Sequence, residues 1–194
     1  MTVTEKEAIG TSFSAGRRIV LAENERLLNS VQPDQWDRAG DLITSARAVF
    51  VIGNGRSGLA IQMAAMRLMH LGLQVHVAGE VTAPAVGAGD VLIAVSGSGT
   101  TGSVVGAADV AKKVGASVLA ITTAPDSPLA QRADEVLVLP AADKQDHSAS
   151  ITSQYAGSLF EQSVLLASDA LFQALWSNED QTAERLWERH ANIG

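Results

Sequence analysis

The sequence predicts an α/β fold, a doubly wound five-stranded parallel sheet flanked by helices, and three observations carry that prediction. Between residues 48 and 140, five short apolar runs alternate with stretches of helical periodicity, as βαβ units require. The first run, 48–52, shows no apolar-polar alternation, which is how a strand covered on both faces reads. Two of the runs end in glycine-rich turns, GNGRSG at 53–58 and SGSGTTG at 96–102, and parallel sheets bind ligands at such carboxyl ends.

Taken in order, residues 4–31 place Phe13, Ile19, Val20, Leu27 and Leu28 at helical spacing among charges, predicting one or two amphipathic helices. Pro33 interrupts, and Asp34 is suited to cap a helix that runs to Ala46. The strand 48–52 follows, then a helix over 57–71, a second strand at 74–78 and a third at 90–95. A helix over 101–114, a fourth strand at 117–122, a helical turn at 127–132 and a fifth strand at 135–139 complete the alternation. Beyond it the pattern is helical over 152–175, with a short charged helix at 179–190 that contains Trp187. We expect a single domain over 1–194, with N-terminal helices to residue 47, the α/β core at 48–140 and C-terminal helices from 151. The polar stretch PAADKQDHSAS, 140–150, is the best candidate for a mobile loop over a site.

Composition narrows the function. Fourteen Lys and Arg against 21 Asp and Glu give a net charge of −7, and no basic stripe interleaves with aromatics, so no nucleic-acid partner is expected. A small anion remains allowed, because local N–H groups and single arginines outweigh a diffuse negative field. The absence of cysteine removes disulfides, thiolate metal sites and cysteine nucleophiles together. The four histidines, His70, His76, His147 and His190, form no HxH or HxxxH pair, so no metal and no other cofactor is expected. Residues 1–20 lack an apolar signal core and no stretch approaches the ~18 apolar residues of a membrane span. A cytoplasmic protein that does not enter membranes is the expectation.

The chemistry concentrates in the two glycine turns. In AVSGSGTTG, 94–102, a strand pattern runs into four hydroxyl residues, Ser96, Ser98, Thr100 and Thr101, and three glycines before the next helix. Hydroxyl donors, close backbone approach and the unpartnered N–H groups of a helix start together make a phosphate cradle. An ordinary helix cap would need one hydroxyl. The other turn satisfies GxGxxG through Gly53, Gly55 and Gly58, and Glu80 follows the second strand where an acid holds a ribose in dinucleotide folds. That fingerprint alone is weak, however, and the chain leaves no room for a second mononucleotide half.

Taken together, VIGNGRSG (51–58), AMRLMHLG (65–72), GEVTAP (79–84), AVSGSGTT (94–101) and SLFEQ (158–162) resemble the sugar isomerase (SIS) domain family, a flavodoxin-like three-layer sandwich. The two loops carry the resemblance to the domain, while the histidine helix and SLFEQ resemble those members that act on 3-hexulose phosphates. One stretch departs: Gln154, Tyr155 and Ala156 stand where those members carry Gln-Pro-Met.

The resemblance implies a phosphosugar substrate and interconversion of D-arabino-3-hexulose 6-phosphate with D-fructose 6-phosphate. Moving a carbonyl from C3 to C2 through a 2,3-enediol needs a base and an oxyanion donor. Glu161 is the expected base, because Leu159, Phe160 and Leu165 should surround it with apolar surface that raises a carboxylate toward working pH. A solvated helix glutamate is the competing reading. His70 either relays protons in a neighbouring subunit's site or complements the dipole of its helix end, and His147 reads as solvated. Ser96, Ser98 and Thr101 carry over as phosphate ligands, with Ser57, Asn54 and Arg56 from the first loop. Arg56 is equally readable as a surface charge or subunit contact. Glu80 and Thr82 fit either sugar hydroxyls or an interface. The family also implies a homotetramer built as a dimer of dimers, and functional coupling with a 3-hexulose-6-phosphate synthase. Isomerisation of another phosphosugar, such as arabinose 5-phosphate, and non-catalytic phosphosugar sensing remain alternatives.

Overall fold

Val49–Gly53 (β1) is the first strand of a five-stranded sheet. A computed structural model describes residues 12–144, 150–155, 157–179 and 181–193. Ahead of β1 lie the helices Phe13–Leu28 (α1) and Pro33–Ser45 (α2); after it come Gly55–His70 (α3), Val75–Val77 (β2), Val91–Val95 (β3), Gly102–Lys113 (α4), Ser117–Thr122 (β4), a 3₁₀ turn at Ala130–Arg132, and Glu135–Val138 (β5). Ser158–Ser177 (α5) and Ala183–Trp187 (α6) close the described chain. All five strands are parallel, in the order β2-β1-β3-β4-β5. The order reverses between β1 and β3, and the two glycine turns leave from the ends of those two strands.

Full burial of β3 explains why its sequence shows no alternation. Val91, Ile93 and Val95, with Val49, Val51, Leu119, Ile121 and Leu137, pack on one face against Trp36 and Ile43 of α2, Ile61 and Leu68 of α3, and Phe160 and Val164 of α5. Phe50, Leu92, Ala94, Val118 and Ala120 face the other way, onto Val104, Ala108 and Ala111 of α4 and Leu129. Each such Val, Leu or Ile contributes roughly 1.5–3 kcal/mol when fully buried. At the opposite end of the sheet from the glycine turns, Arg47 grips Asp90 bidentately at 2.9 and 2.8 Å. That pairing, with a further bond from Gly87 N–H, holds Asp90 below the ordinary carboxylate range despite its burial.

Several element ends differ from expectation for local reasons. Asp34 does not cap α2: Gln32 occupies that position and Pro33 begins the helix, leaving Asp34 in the first turn, where it faces the helix dipole and pairs with Arg38 at 3.0 Å. The long C-terminal helix starts at Ser158 rather than at residue 152, because Gly157 adopts φ +75° and turns the chain into it. The terminal helical pattern condenses to Ala183–Trp187. Of the N-terminal helical stretch, the part before residue 12 lies outside the described residues, as do 145–149 of the polar stretch 140–150. Among the described residues no helix is long and apolar enough to cross a membrane.

The GxGxxG spacing has a packing origin. A Cβ at Gly58 would lie 2.5 Å from the Gly53 carbonyl oxygen, and one at Gly53 would lie 3.1 Å from the Gly58 backbone. The start of α3 therefore rests directly on the end of β1. Gly58→Ala is expected to lower stability by about 1–3 kcal/mol through this overpacking, measured as a fall in Tm; an unchanged Tm would mean that the turn relaxes freely.

Candidate active site

Two sheet-end loops and the start of α5 meet at one place. The loop after β3 is pinned from below: the Gly97 carbonyl accepts bonds from the Thr122 and Thr123 hydroxyls at 3.0 and 2.8 Å and from Thr123 N–H at 3.0 Å. Within the loop the buried Ser96 hydroxyl bonds Thr101 Oγ1 at 2.8 Å, and the exposed Ser98 hydroxyl bonds Thr100 Oγ1 at 2.9 Å. Thr101 is the N-cap residue of α4 but makes no side-chain cap bond, so its hydroxyl belongs to the loop. The leading N–H groups of α4 point the same way, and that helix end attracts negative charge.

The first loop is tied to the first turn of α4, just beyond the second loop, by Asn54, whose amide Nδ2 donates to Ser103 Oγ at 2.9 Å. Asn54 is the N-cap residue of α3 without a side-chain cap bond, so its side chain reaches sideways across the gap. Ser57 is buried in the first turn of α3. Arg56, one residue earlier, projects from that turn and donates from Nε to Glu161 Oε2 at 2.5 Å. This contact pairs Arg56, whose side chain is otherwise largely exposed, with the candidate base.

Glu161 is buried, at 7% exposure, on the first turn of α5. The helix sits against the hydroxyl loop through Phe160, whose ring lies 3.4 Å from where a Cβ on Gly97 would be. A solvated helix glutamate is thereby corrected. The expected all-apolar surrounding needs correction as well, because Lys144 Nζ stands 3.6 Å from Oε1 while Arg56 holds Oε2. Lys144 was missed in the sequence, where it is one charge in a polar stretch. Its aliphatic stem crosses Gly157, with Cε 3.0 Å from a hypothetical Cβ there, so the lysine is laid over the entry to α5.

Other candidates fall elsewhere. Glu80 is exposed and lines a cavity of about 210 Å³ beside Gly53, Gly58 and Gln62; Thr82 is exposed two residues on. His147 lies outside the described residues. His70 sits at the far end of α3, about 22 Å along the helix from the first loop, so one chain does not bring it to Glu161. It lines a separate cavity of about 570 Å³ with Arg67, Asp169, Phe172, Trp187 and His190, and its ring lies 5.2 Å from that of His190. Its Nε2 is buried without a hydrogen-bond partner among the described residues.

The profile of the SIS domain family matches residues 42–166, a span that includes both loops and the start of α5. This chain belongs to the SIS domain family. A relative from Mycobacterium gastri named 3-hexulose-6-phosphate isomerase is 50% identical over 96% of the chain and 94% of its own length. One of the same name from Bacillus subtilis is 37% identical over 84% and 89%. A crystal structure of a hypothetical protein from Methanococcus jannaschii, reported as inferring a 3-hexulose-6-phosphate isomerase function, superposes with a TM-score of 0.80 at 28% identity, covering 92% of this chain and 98% of that one. The glycine spacing of this SIS domain belongs to sheet-end packing.

Burial, then the charges of His190 and Arg67, push His70 below its ordinary value of 6.5. A neutral imidazole does little for a helix dipole, which weakens that reading of the residue. The unfolded chain takes up this proton first, so the native state loses stability as pH falls below about 6.5. In His70→Leu the drop in Tm between pH 7 and pH 5.5 should be smaller than in wild type, as followed by thermal melts across that range; equal drops would show that His70 carries no such linkage.

Proposed function

We propose that this chain is a 6-phospho-3-hexuloisomerase, interconverting D-arabino-3-hexulose 6-phosphate and D-fructose 6-phosphate in the ribulose monophosphate route of formaldehyde fixation. The observation that carries the reading is the buried Glu161 carboxylate, set at the junction of two phosphate-type loops. The names of the 50% and 37% identical relatives supply the substrate.

In this reading Ser96, Ser98 and Thr101, with the leading N–H groups of α4, bind the phosphate, and Asn54, Arg56 and Ser57 complete the cradle. Anchoring a dianion remote from the reacting carbons supplies binding energy that orients C2 and C3 against the base. Glu161 removes the C2 proton of the 3-ketose. Electrons move into the C2–C3 bond, the C3 oxygen becomes an enediolate oxygen and is protonated, and the C2 hydroxyl loses its proton as the C2 carbonyl forms. Glu161 then returns a proton to C3. Arg56 and Lys144 flank the carboxylate, so positive charge stands beside the atoms where the enediolate develops.

The same reading takes residues 1–194 as one SIS domain that works as a cytoplasmic homotetramer, a dimer of dimers. His70 acts there as a proton relay in the site of a neighbouring chain, and a 3-hexulose-6-phosphate synthase supplies the substrate. Glu80 and Thr82, exposed on the segment after β2, serve in this reading either the sugar hydroxyls or such a subunit border.

The test couples the protein to a 3-hexulose-6-phosphate aldolase, adds fructose 6-phosphate and follows formaldehyde release. Wild type should release formaldehyde. Silence with fructose 6-phosphate together with turnover of arabinose 5-phosphate would reassign the substrate. Glu161→Gln should lower kcat by about 10³-fold or more, as loss of a general base does, while phosphosugar binding persists in a calorimetric titration; retained turnover would remove Glu161 from the role. Thr101→Ala should raise KM about tenfold, on the scale of one hydrogen bond to a charged group, and an unchanged KM would count against the cradle.

A further inference from the structure

Glu23 is a second buried glutamate, on α1 and 8% exposed, and it takes no part in the chemistry proposed above. Its carboxylate accepts three hydrogen bonds from a single short strap of chain: the Thr152 hydroxyl at 2.5 Å, Ser153 N–H at 2.8 Å and the Gln154 amide at 3.0 Å. Charge-assisted bonds of this kind are about twice as strong as neutral ones. Burial alone would raise this carboxyl group, but the donors from Ser153, Thr152 and Gln154 outweigh it and hold Glu23 below the ordinary carboxylate range. Arg26, three residues on, donates to the Ile151 carbonyl at 2.6 Å and fixes the start of the same strap.

Along the chain the strap lies between a lysine that pairs with the candidate base and the helix that carries that base. Lys144 precedes it, and Gly157 and α5 follow it. From the strap the connection continues into the helix: Gln162 Nε2 donates to Gln154 Oε1 at 2.9 Å, Asn24 Nδ2 donates to Gln162 Oε1 at 2.6 Å, and the Ser163 hydroxyl donates to Asn24 Oδ1 at 3.3 Å. The circuit therefore runs from α1 to the strap, from the strap to the first turn of α5, and back to α1. Gln162 and Ser163 immediately follow Glu161 in the chain. Residues that fix both of them fix the rotation of that helical turn, and with it the direction of the Glu161 side chain.

We infer that Glu23 is a positioning residue for Glu161, holding the strap at residues 151–154 so that Gln154 and Gln162 set the first turn of α5. Arg56 and Lys144 act on the carboxylate itself; Glu23 acts on the backbone that carries it. The role deepens the isomerase reading and rests on Glu161 being its base. The geometry also explains Gln154, the half-buried residue at the start of the departure noted in the sequence: its amide bridges Glu23 and Gln162, donating to one and accepting from the other.

The experiment compares wild type, Glu23→Gln, Gln154→Leu and the double variant, by steady-state kinetics and by amide hydrogen exchange read by mass spectrometry over residues 150–165. Glu23→Gln keeps the shape but faces three donors with one acceptor. It should speed exchange in 151–154 and in the first turn of α5 by about tenfold or more, and lower kcat by about tenfold with KM within about threefold. Gln154→Leu, a half-buried change that leaves the bonds from Thr152 and Ser153 intact, should move both readouts in the same direction and serves if Glu23→Gln does not fold. The double variant should match Glu23→Gln alone, because both cut one circuit. Unchanged exchange at the start of α5, or faster exchange with kcat preserved, would overturn the proposal. Should wild type show no isomerase turnover, the functional reading falls, while exchange at 158–163 still decides whether Glu23 fixes this turn.

Discussion

The site depends on one close approach, that of the first turn of α3 to the end of β1. Because neither Gly53 nor Gly58 carries a side chain, the helix begins in contact with the strand carbonyl, and the three residues between them that carry side chains have little choice of direction. Asn54 reaches across to Ser103 in the first turn of α4, Ser57 is buried, and Arg56 is sent toward α5. A wider turn would still pair β1 with β3, but it would not deliver a guanidinium to a glutamate 105 positions later in the chain.

The second constraint is electrostatic. A carboxylate as buried as Glu161 is costly unless its charge is met, and the fold meets it from two exposed cations on separate segments. Each cation keeps access to solvent, so the pairing balances the charge without sealing the group away. Under the proposed function, a base in this setting is held in place yet open to a substrate. The buried polar circuit behind it, from Glu23 through Gln154 to Gln162, completes the support with every carboxylate oxygen and amide occupied, the condition under which such networks rigidify.

Much of this was legible in the sequence, for identifiable reasons. The inner strands β1, β3 and β4 were readable because burial on both faces leaves unbroken apolar runs, and the hydroxyl loop because four hydroxyls in six residues exceed what capping needs. Glu161 stood out through its SLFEQ context. Its ion pairs did not, since Arg56, Lys144 and Glu161 lie on three separated segments and no local pattern records their meeting. Glu23 was invisible for the same reason: on an amphipathic helix one more glutamate reads as solvated, and only the path of the strap reveals that this one is covered. Where helix ends were misjudged, at Asp34 and at residue 152, the cause was backbone geometry, a proline at the first helical position and a glycine at positive φ.

The all-parallel sheet carries a kinetic consequence. No two neighbouring strands are joined by a hairpin, and β1 pairs with β3 only after α3 and β2 have been threaded between them. Loop-closure entropy must therefore be met before most of the native pairings repay it, which slows folding and leaves strand edges uncovered for longer. For this chain the hazard during biosynthesis is self-association of half-assembled sheets.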